Sequence, residues 1–184
     1  MLLFAVNYKN YQMKKIVLLG YMGCGKSTIA KLLSEVIKIP YLDLDKIIEE
    51  ETNLSIVTIF KEKGEIYFRK LEHNLFQDLM TNSENMVLSL GGGTPCYANN
   101  HQLLNNEGSV SIYLSGSIDT LYDRLISEKE NRPLLATKTE LDMKDFIAKQ
   151  LFERSFYYNK AQHRIAVDGK TPAEIVLEIE KILT

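Results

Sequence analysis

Gly20-Tyr21-Met22-Gly23-Cys24-Gly25-Lys26-Ser27 matches the pattern G-x-x-x-x-G-K-[ST] at every fixed position. The spacing has a physical reason. Glycines let the main chain wrap a phosphate with its N–H groups pointing inward, where a Cβ would collide. The loop opens a helix, whose N-terminal partial positive charge favours anions. In such a loop the lysine, here Lys26, reaches the β- and γ-phosphates, and the hydroxyl after it, here Ser27, ligates Mg²⁺. Thr28, the next residue, reads as capping or packing. Cys24 occupies a variable position and reads as a tolerated small residue, although a thiol beside a helix N-terminus is open to a lowered pKa. The motif points to a nucleoside triphosphate and leaves the reaction open.

The flanks agree with the motif. Ile16–Leu19 is an unbroken apolar run, as in a parallel strand buried on both faces. From Lys26 onward Ile29, Leu32, Leu33, Val36 and Ile37 share one helical face, with Pro40 as the stop. Tyr41–Leu44 reads as a second strand. Two helical stretches follow, one opened by Ser55 and one carrying Phe68, Leu71, Leu75 and Leu79. Met86–Leu90, Val110–Leu114 and Arg164–Val167 read as strands. Ser117–Ile126, Leu141–Tyr158 (with Ile147, Leu151 and Phe152 inside) and a closing stretch after Thr171-Pro172 read as helices. Strands alternating with helices predict βαβ units, an α/β fold and a mostly parallel sheet.

The chain has 184 residues, with 45% hydrophobic and 25% charged residues and a net charge of −2. That suits one soluble globular domain and argues against a broad nucleic-acid or anionic-membrane surface. Cys24 and Cys96 form neither a disulfide framework nor a zinc spacing, and the three histidines are scattered, so structural or surface roles are expected for them. Leu2–Val6 is too short for a signal sequence or a membrane span. The expectation is a cytoplasmic monomer: a single domain over 13–184, preceded by an extension over 1–12.

Asp43 and Asp45, two apart at the end of the second strand, are expected to share a face at the open end of the sheet, where ligands sit. One suits Mg²⁺, and the other suits a hydrogen bond from an acceptor hydroxyl and uptake of its proton. Met86–Leu90 ends in Gly91-Gly92-Gly93 rather than in an acidic residue, which permits a backbone to pass close to a ligand. Arg132 precedes Pro133 in the polar stretch 128–139, a candidate lid that brings positive charge to the transferring phosphoryl group. Arg69 and Arg154 lie on helices and read, taken alone, as solvated; Glu65 and Glu72 flank Arg69 at helical spacing.

Taken in order, GYMGCGKST at 20–28, DLD at 43–45, SIVTIFKEKGEIYFRKLE at 55–72, GGG at 91–93, RPLL at 132–135 and Arg154 with Tyr157-Tyr158 resemble the shikimate kinases over about residues 14–183. The first motif is shared by all P-loop kinases; the series from Phe60 to Glu72 followed by GGG and RPLL is far more specific. The resemblance implies a three-layer α/β/α sandwich around a five-stranded parallel sheet, with a lid at about 127–139. It implies transfer of the ATP γ-phosphate to the 3-hydroxyl of shikimate, with Mg²⁺. Gly23, Cys24, Gly25, Lys26, Ser27, Thr28, Arg124 and Arg132 would then serve ATP, and Ser27 and Asp43 the metal. Asp45, Arg69, Gly91, Gly92, Gly93 and Arg154 would bind shikimate, the two arginines clamping its carboxylate and Glu72 supporting Arg69. The catalytic set would be Asp45, Lys26 and Arg132.

Thr94, directly after the glycines, departs from the apolar residue expected there. A kinase of another small acceptor, such as gluconate or a nucleotide, is the second reading. A nucleotide-dependent switch is the third, against which neither an N-K-x-D nor a D-x-x-G signature is found.

Overall fold

The computed structural model describes residues 15–126 and 139–184. The predicted extension over 1–12 and the lid arginine Arg132 lie outside the described residues. Five strands, β1 (Lys15–Leu19), β2 (Tyr41–Asp43), β3 (Met86–Ser89), β4 (Ser109–Ser115) and β5 (His163–Ala166), form one sheet in the order β2-β3-β1-β4-β5. Every pairing is parallel. β1, β3 and β4 are buried along their whole length, whereas β2 and β5 are the edges. Runs rich in apolar residues in the centre are what a sheet covered on both faces requires.

Among the described residues seven α-helices accompany it: α1 (Lys26–Ile37), α2 (Leu44–Thr52), α3 (Ile56–Glu62), α4 (Gly64–Thr81), α5 (Ile118–Ile126), α6 (Glu140–Tyr158) and α7 (Pro172–Leu183). Their starts follow from local chemistry. Asp43, Ser55, Thr139 and Thr171 accept from the first-turn amides of α2, α3, α6 and α7, and the last two complete capping boxes. Each such cap is worth about 1 kcal/mol. α1 ends at Lys38, whose left-handed conformation (φ 59°) turns the chain two residues before Pro40.

Three sequence expectations need correction. The second strand is expected to run through Leu44, but it stops at Asp43, which takes the helix-capping role open to an aspartate ahead of a helical stretch and converts the chain to helix at Leu44. The stripe expected on α4 is rotated: its buried line is Phe68, Glu72, Phe76 and Met80, with Leu71, Leu75 and Leu79 only packed against the core margin. Phe152, expected inside α6, is 83% exposed.

Parallel pairing in register is what assembles the strand ends. Asp43 lies beside Ser89, and Leu90 N donates to Leu18 O, so β2, β3 and β1 finish side by side. The strand order reverses about β1, placing the crevice of the sheet at these C-terminal ends. No helix among the described residues is long and apolar enough to cross a membrane.

Candidate active site

The loop after β1 is built by its glycines. Gly20 has φ 144°, and a Cβ there would lie 2.5 Å from Leu114 O. Gly25, at φ 94°, is the N-cap of α1 and provides no side chain to it; no acidic residue occupies the first turn. The N–H groups that Asp43, Ser55, Thr139 and Thr171 satisfy elsewhere are therefore left for an anion at α1. Lys26 Nζ is held over the loop by Gly20 O at 2.9 Å and Tyr21 O at 3.0 Å. Cys24 is fully buried, with its Sγ 3.8 Å from Lys26 Nζ and close against Gly20. Arg124 on α5 donates to Gly23 O and Cys24 O, both at 3.4 Å, and to Val167 O at 3.2 Å.

A cavity of about 760 Å³ opens over this loop. It is lined by residues 22–29, Asp43, Asp45, Ser89, Leu90, Gly91, Gly92 and Arg124, and by Lys170, Pro172 and Ile175 from the start of α7. The last three carry no signature in the sequence; only the packing of α7 on α1 brings them there.

Three oxygens meet at one wall. Ser27 Oγ donates to Asp43 Oδ2 at 3.0 Å and lies 3.4 Å from Ser89 Oγ. Tyr41 Oη donates to the same Asp43 oxygen at 2.9 Å, and burial, reinforced by that carboxylate, pushes the phenol up to about 12. Asp43 Oδ1 accepts from Asp45 N at 3.1 Å. Asp43 thus caps α2 and faces the loop hydroxyl at once. Asp45 reaches the cavity from the first turn of α2 rather than from a strand, so helical geometry and not strand alternation aims it. Burial, then the carboxylates of Asp43 and Glu72, raise its carboxyl to about 6, against the pull of Lys26 and Arg69. A carboxyl so placed is a stronger base than an ordinary aspartate and is still mostly ionised at neutral pH.

The triple glycine is the floor on which the other charged groups converge. A Cβ at Gly91 would lie 2.7 Å from Asp45 Oδ1, and one at Gly93 2.9 Å from Arg69 Nη2. Arg154 Nη1 donates to Gly92 O at 3.3 Å, and Nη2 to Gln150 Oε1 at 2.5 Å. Tyr158 Oη donates to the same Gly92 carbonyl at 2.6 Å, and burial raises its pKa, which keeps it neutral. Neither arginine is simply solvated. Arg69 Nη1 pairs with Glu72 Oε2 at 2.7 Å, Nε lies 3.5 Å from Glu65 Oε1, and its guanidinium stacks 4.0 Å over the Tyr97 ring. Glu72 is 1% exposed, and its other oxygen accepts from Thr94 Oγ1 at 2.7 Å.

The structure therefore gathers Gly23–Thr28, Asp43, Asp45, Gly91–Gly93 and Arg124 in or beside one cavity, with Arg69 and Arg154 just across the glycines. Tyr41, Ser89, Tyr97, Thr94 and Gln150 were not singled out in the sequence as contact makers. Single polar residues at strand ends and turns carry no spacing signal, so the fold alone reveals them.

A family model described as shikimate kinase matches residues 22–184. A shikimate kinase from Flavobacterium johnsoniae is 62% identical over 171 residues, spanning 93% of this chain and 99% of that relative. Among solved structures, the shikimate kinase from Bacteroides thetaiotaomicron superposes with a TM-score of 0.84 at 34% identity, over 92% of this chain and 97% of that one. The shikimate kinase from Acinetobacter baumannii, solved in complex with shikimate, gives a TM-score of 0.83 at 27% identity over 94% of each chain.

Proposed function

The chain belongs to the shikimate kinase family, and from that membership we infer that it transfers the γ-phosphate of ATP to the 3-hydroxyl of shikimate, giving shikimate 3-phosphate and ADP in aromatic amino-acid biosynthesis. The observation that carries this reading is the meeting, at one cavity wall, of a phosphate loop, a basic carboxylate at Asp45 and a glycine floor flanked by two fixed guanidinia.

The nucleotide phosphates lie along the loop, held by its N–H groups and the uncapped start of α1. Lys26 exchanges its two loop carbonyls for β- and γ-phosphate oxygens. Arg124 braces the loop from below through the carbonyls of Gly23 and Cys24. Arg132, in the proposed lid, adds positive charge at the transferring group.

The donor set at Ser27 and Asp43 fits Mg²⁺. It offers hard oxygens 3.0 Å apart, and among the described residues no cluster of three or more His, Cys, Asp or Glu would hold a metal alone. Mg²⁺ prefers one or two protein oxygens, with phosphates and water completing its shell. Held there, the ion supplies charge neutralisation for the phosphate oxygens.

At the acceptor side, Arg69 and Arg154 present planar forks that match a carboxylate. Asp45 accepts a hydrogen bond from the 3-hydroxyl, orients its oxygen at the γ-phosphorus and takes up its proton as the bond forms. We further propose a cytoplasmic monomer.

The test is ADP release with ATP, Mg²⁺ and shikimate, in parallel with gluconate, nucleoside monophosphates or no acceptor. Release with shikimate alone is expected; release with another acceptor refutes the substrate assignment and retains the phosphoryl chemistry.

A further inference from the structure

Glu72 sits on the buried line of α4, and its two oxygens are each engaged once: Oε2 by Arg69 Nη1 and Oε1 by Thr94 Oγ1, both at 2.7 Å. Thr94 is itself fully buried. Its carbonyl accepts from Asn100 Nδ2 at 2.8 Å, and Asn100 Oδ1 meets His73 Nδ1 at 2.6 Å. Because the Asn100 amide nitrogen donates to Thr94, its oxygen is the acceptor, and His73 Nδ1 carries the proton. The chain of bonds leaves α4 at Glu72 and returns to it at His73. It is a closed circuit that clamps the turn after the triple glycine to the helix bearing Arg69.

The Thr94 hydroxyl lies in a crowded place. A Cβ at Gly91 would meet Asp45 Oδ1 at 2.7 Å, Thr94 Oγ1 at 3.0 Å and Glu72 Oε1 at 3.4 Å. Two carboxylates and one hydroxyl therefore surround a single glycine, and Thr94 is the group that commits Glu72 Oε1. Leaving a buried carboxylate oxygen without a donor is costly, which favours any turn of the group that finds one. Glu72 holds Arg69 through its other oxygen, so any such turn moves the guanidinium. Glu65 is the weaker partner: its side chain is half exposed and its Oε1 lies 3.5 Å from Arg69 Nε, against 2.7 Å for the Glu72 contact.

We propose that Thr94 is a positioning residue of the acceptor site: its hydroxyl locks the Glu72 carboxylate in the one orientation that aims Arg69 at the acceptor's carboxylate. This rests on the shikimate kinase reading for the identity of the acceptor, and on the structure alone for the geometry.

Thr94→Val keeps the shape and removes the hydroxyl; Thr94→Ser keeps the hydroxyl. Steady-state titration of both substrates is expected to show a rise on the order of tenfold in the shikimate KM of Thr94→Val, the effect of one lost charge-assisted hydrogen bond. The ATP KM should stay within about twofold, and Thr94→Ser should behave like the parent. A merely structural role would lower the active fraction, and thus kcat, with both KM values unchanged, and that result overturns the proposal. So does a shikimate KM that rises equally in the serine variant. If thermal unfolding shows that the valine variant does not fold, Thr94→Ala is measured with the same expectation. A crystal structure of the folded variant gives a readout independent of the acceptor. A displaced Arg69 guanidinium supports the proposal even if shikimate proves not to be the substrate, and a wild-type Arg69–Glu72 pair refutes it even if shikimate is.

Discussion

Replacing each glycine of Gly91-Gly92-Gly93 in turn by alanine separates three roles that the sequence presents as identical. None of the three has a positive φ, so an added methyl is resisted by space alone. At Gly91 it would meet Asp45 Oδ1 at 2.7 Å, against about 3.4 Å for ordinary contact, so the carboxylate must retreat by roughly 0.7 Å. At Gly93 it would meet Arg69 Nη2 at 2.9 Å, a retreat of roughly 0.5 Å for a guanidinium already pinned by Glu72 and Tyr97. At Gly92 nothing is closer than 3.5 Å, and the fold accommodates the methyl. Overpacking costs about 1–3 kcal/mol, which for a chain of this size lowers Tm by roughly 2–10 °C. A misplacement approaching 1 Å costs up to about a hundredfold in rate. Gly91→Ala is therefore expected to lower kcat by about ten- to a hundredfold. Gly93→Ala should instead raise the acceptor KM while sparing the ATP KM. Gly92→Ala should keep the parental Tm to within about 2 °C. Thermal unfolding and two-substrate kinetics on the three proteins decide it. A Gly91→Ala protein with parental kcat, or a Gly92→Ala protein as unstable as Gly91→Ala, refutes the reasoning.

Asp45→Asn is expected to nearly abolish turnover while nucleotide affinity stays close to parental, as nucleotide binding in the two proteins would show. The same substitution should stabilise the metal-free fold at pH 7.5 by about 1–3 kcal/mol, because the folded protein holds this carboxyl at about 6 rather than 3.8. The penalty of burying its charge is fully present above about pH 6 and is lost as pH falls toward about 4, so the two denaturation curves should converge at low pH. A gap that is absent at pH 7.5, or that widens on acidification, contradicts the assignment. Arg69→Ala and Arg154→Ala should raise the acceptor KM far more than the ATP KM. Arg69→Lys should restore little, since an ammonium loses both the fork and the stacking on Tyr97; an effect confined to ATP would count against the clamp. Alkylation at neutral pH should be slow at both cysteines, because Cys24 is fully buried and burial pushes the Cys96 thiol up to about 11. Rapid inactivation by iodoacetamide would contradict this.

Much of the fold was legible along the chain because its signals are local. Short stretches rich in apolar residues marked all five strands to within about a residue or two, unbroken only at β1 and interrupted by Asp43, Ser89, Ser111 or Arg164 elsewhere, and Thr171-Pro172 marked the start of α7. The phosphate loop was legible for the same reason: its glycines, lysine and serine act at a fixed spacing within eight residues. The boundary between β2 and α2 is not legible in the sequence, because a single cap at Asp43 outweighs the strand-like look of Tyr41–Leu44, and a three-residue strand leaves too little periodicity to show where it ends.

The arginines mark the boundary between the two kinds of knowledge. The residues alone make Arg69 and Arg154 surface cations on amphipathic helices, and only family resemblance suggested a pocket. Packing decides otherwise: α4 turns Glu72 rather than a leucine into the interior, and that buried carboxylate fixes Arg69. Likewise α6 presents Arg154 and Tyr158 to one glycine carbonyl of a turn more than sixty residues away. The sequence by itself determined the phosphate loop, the α/β alternation and the family, since each is written in short-range spacing. The surroundings of Asp45, Arg69 and Arg154 were decided by the tertiary structure, because the burial of a charge, and therefore its pKa and its aim, depends on what the rest of the chain packs around it.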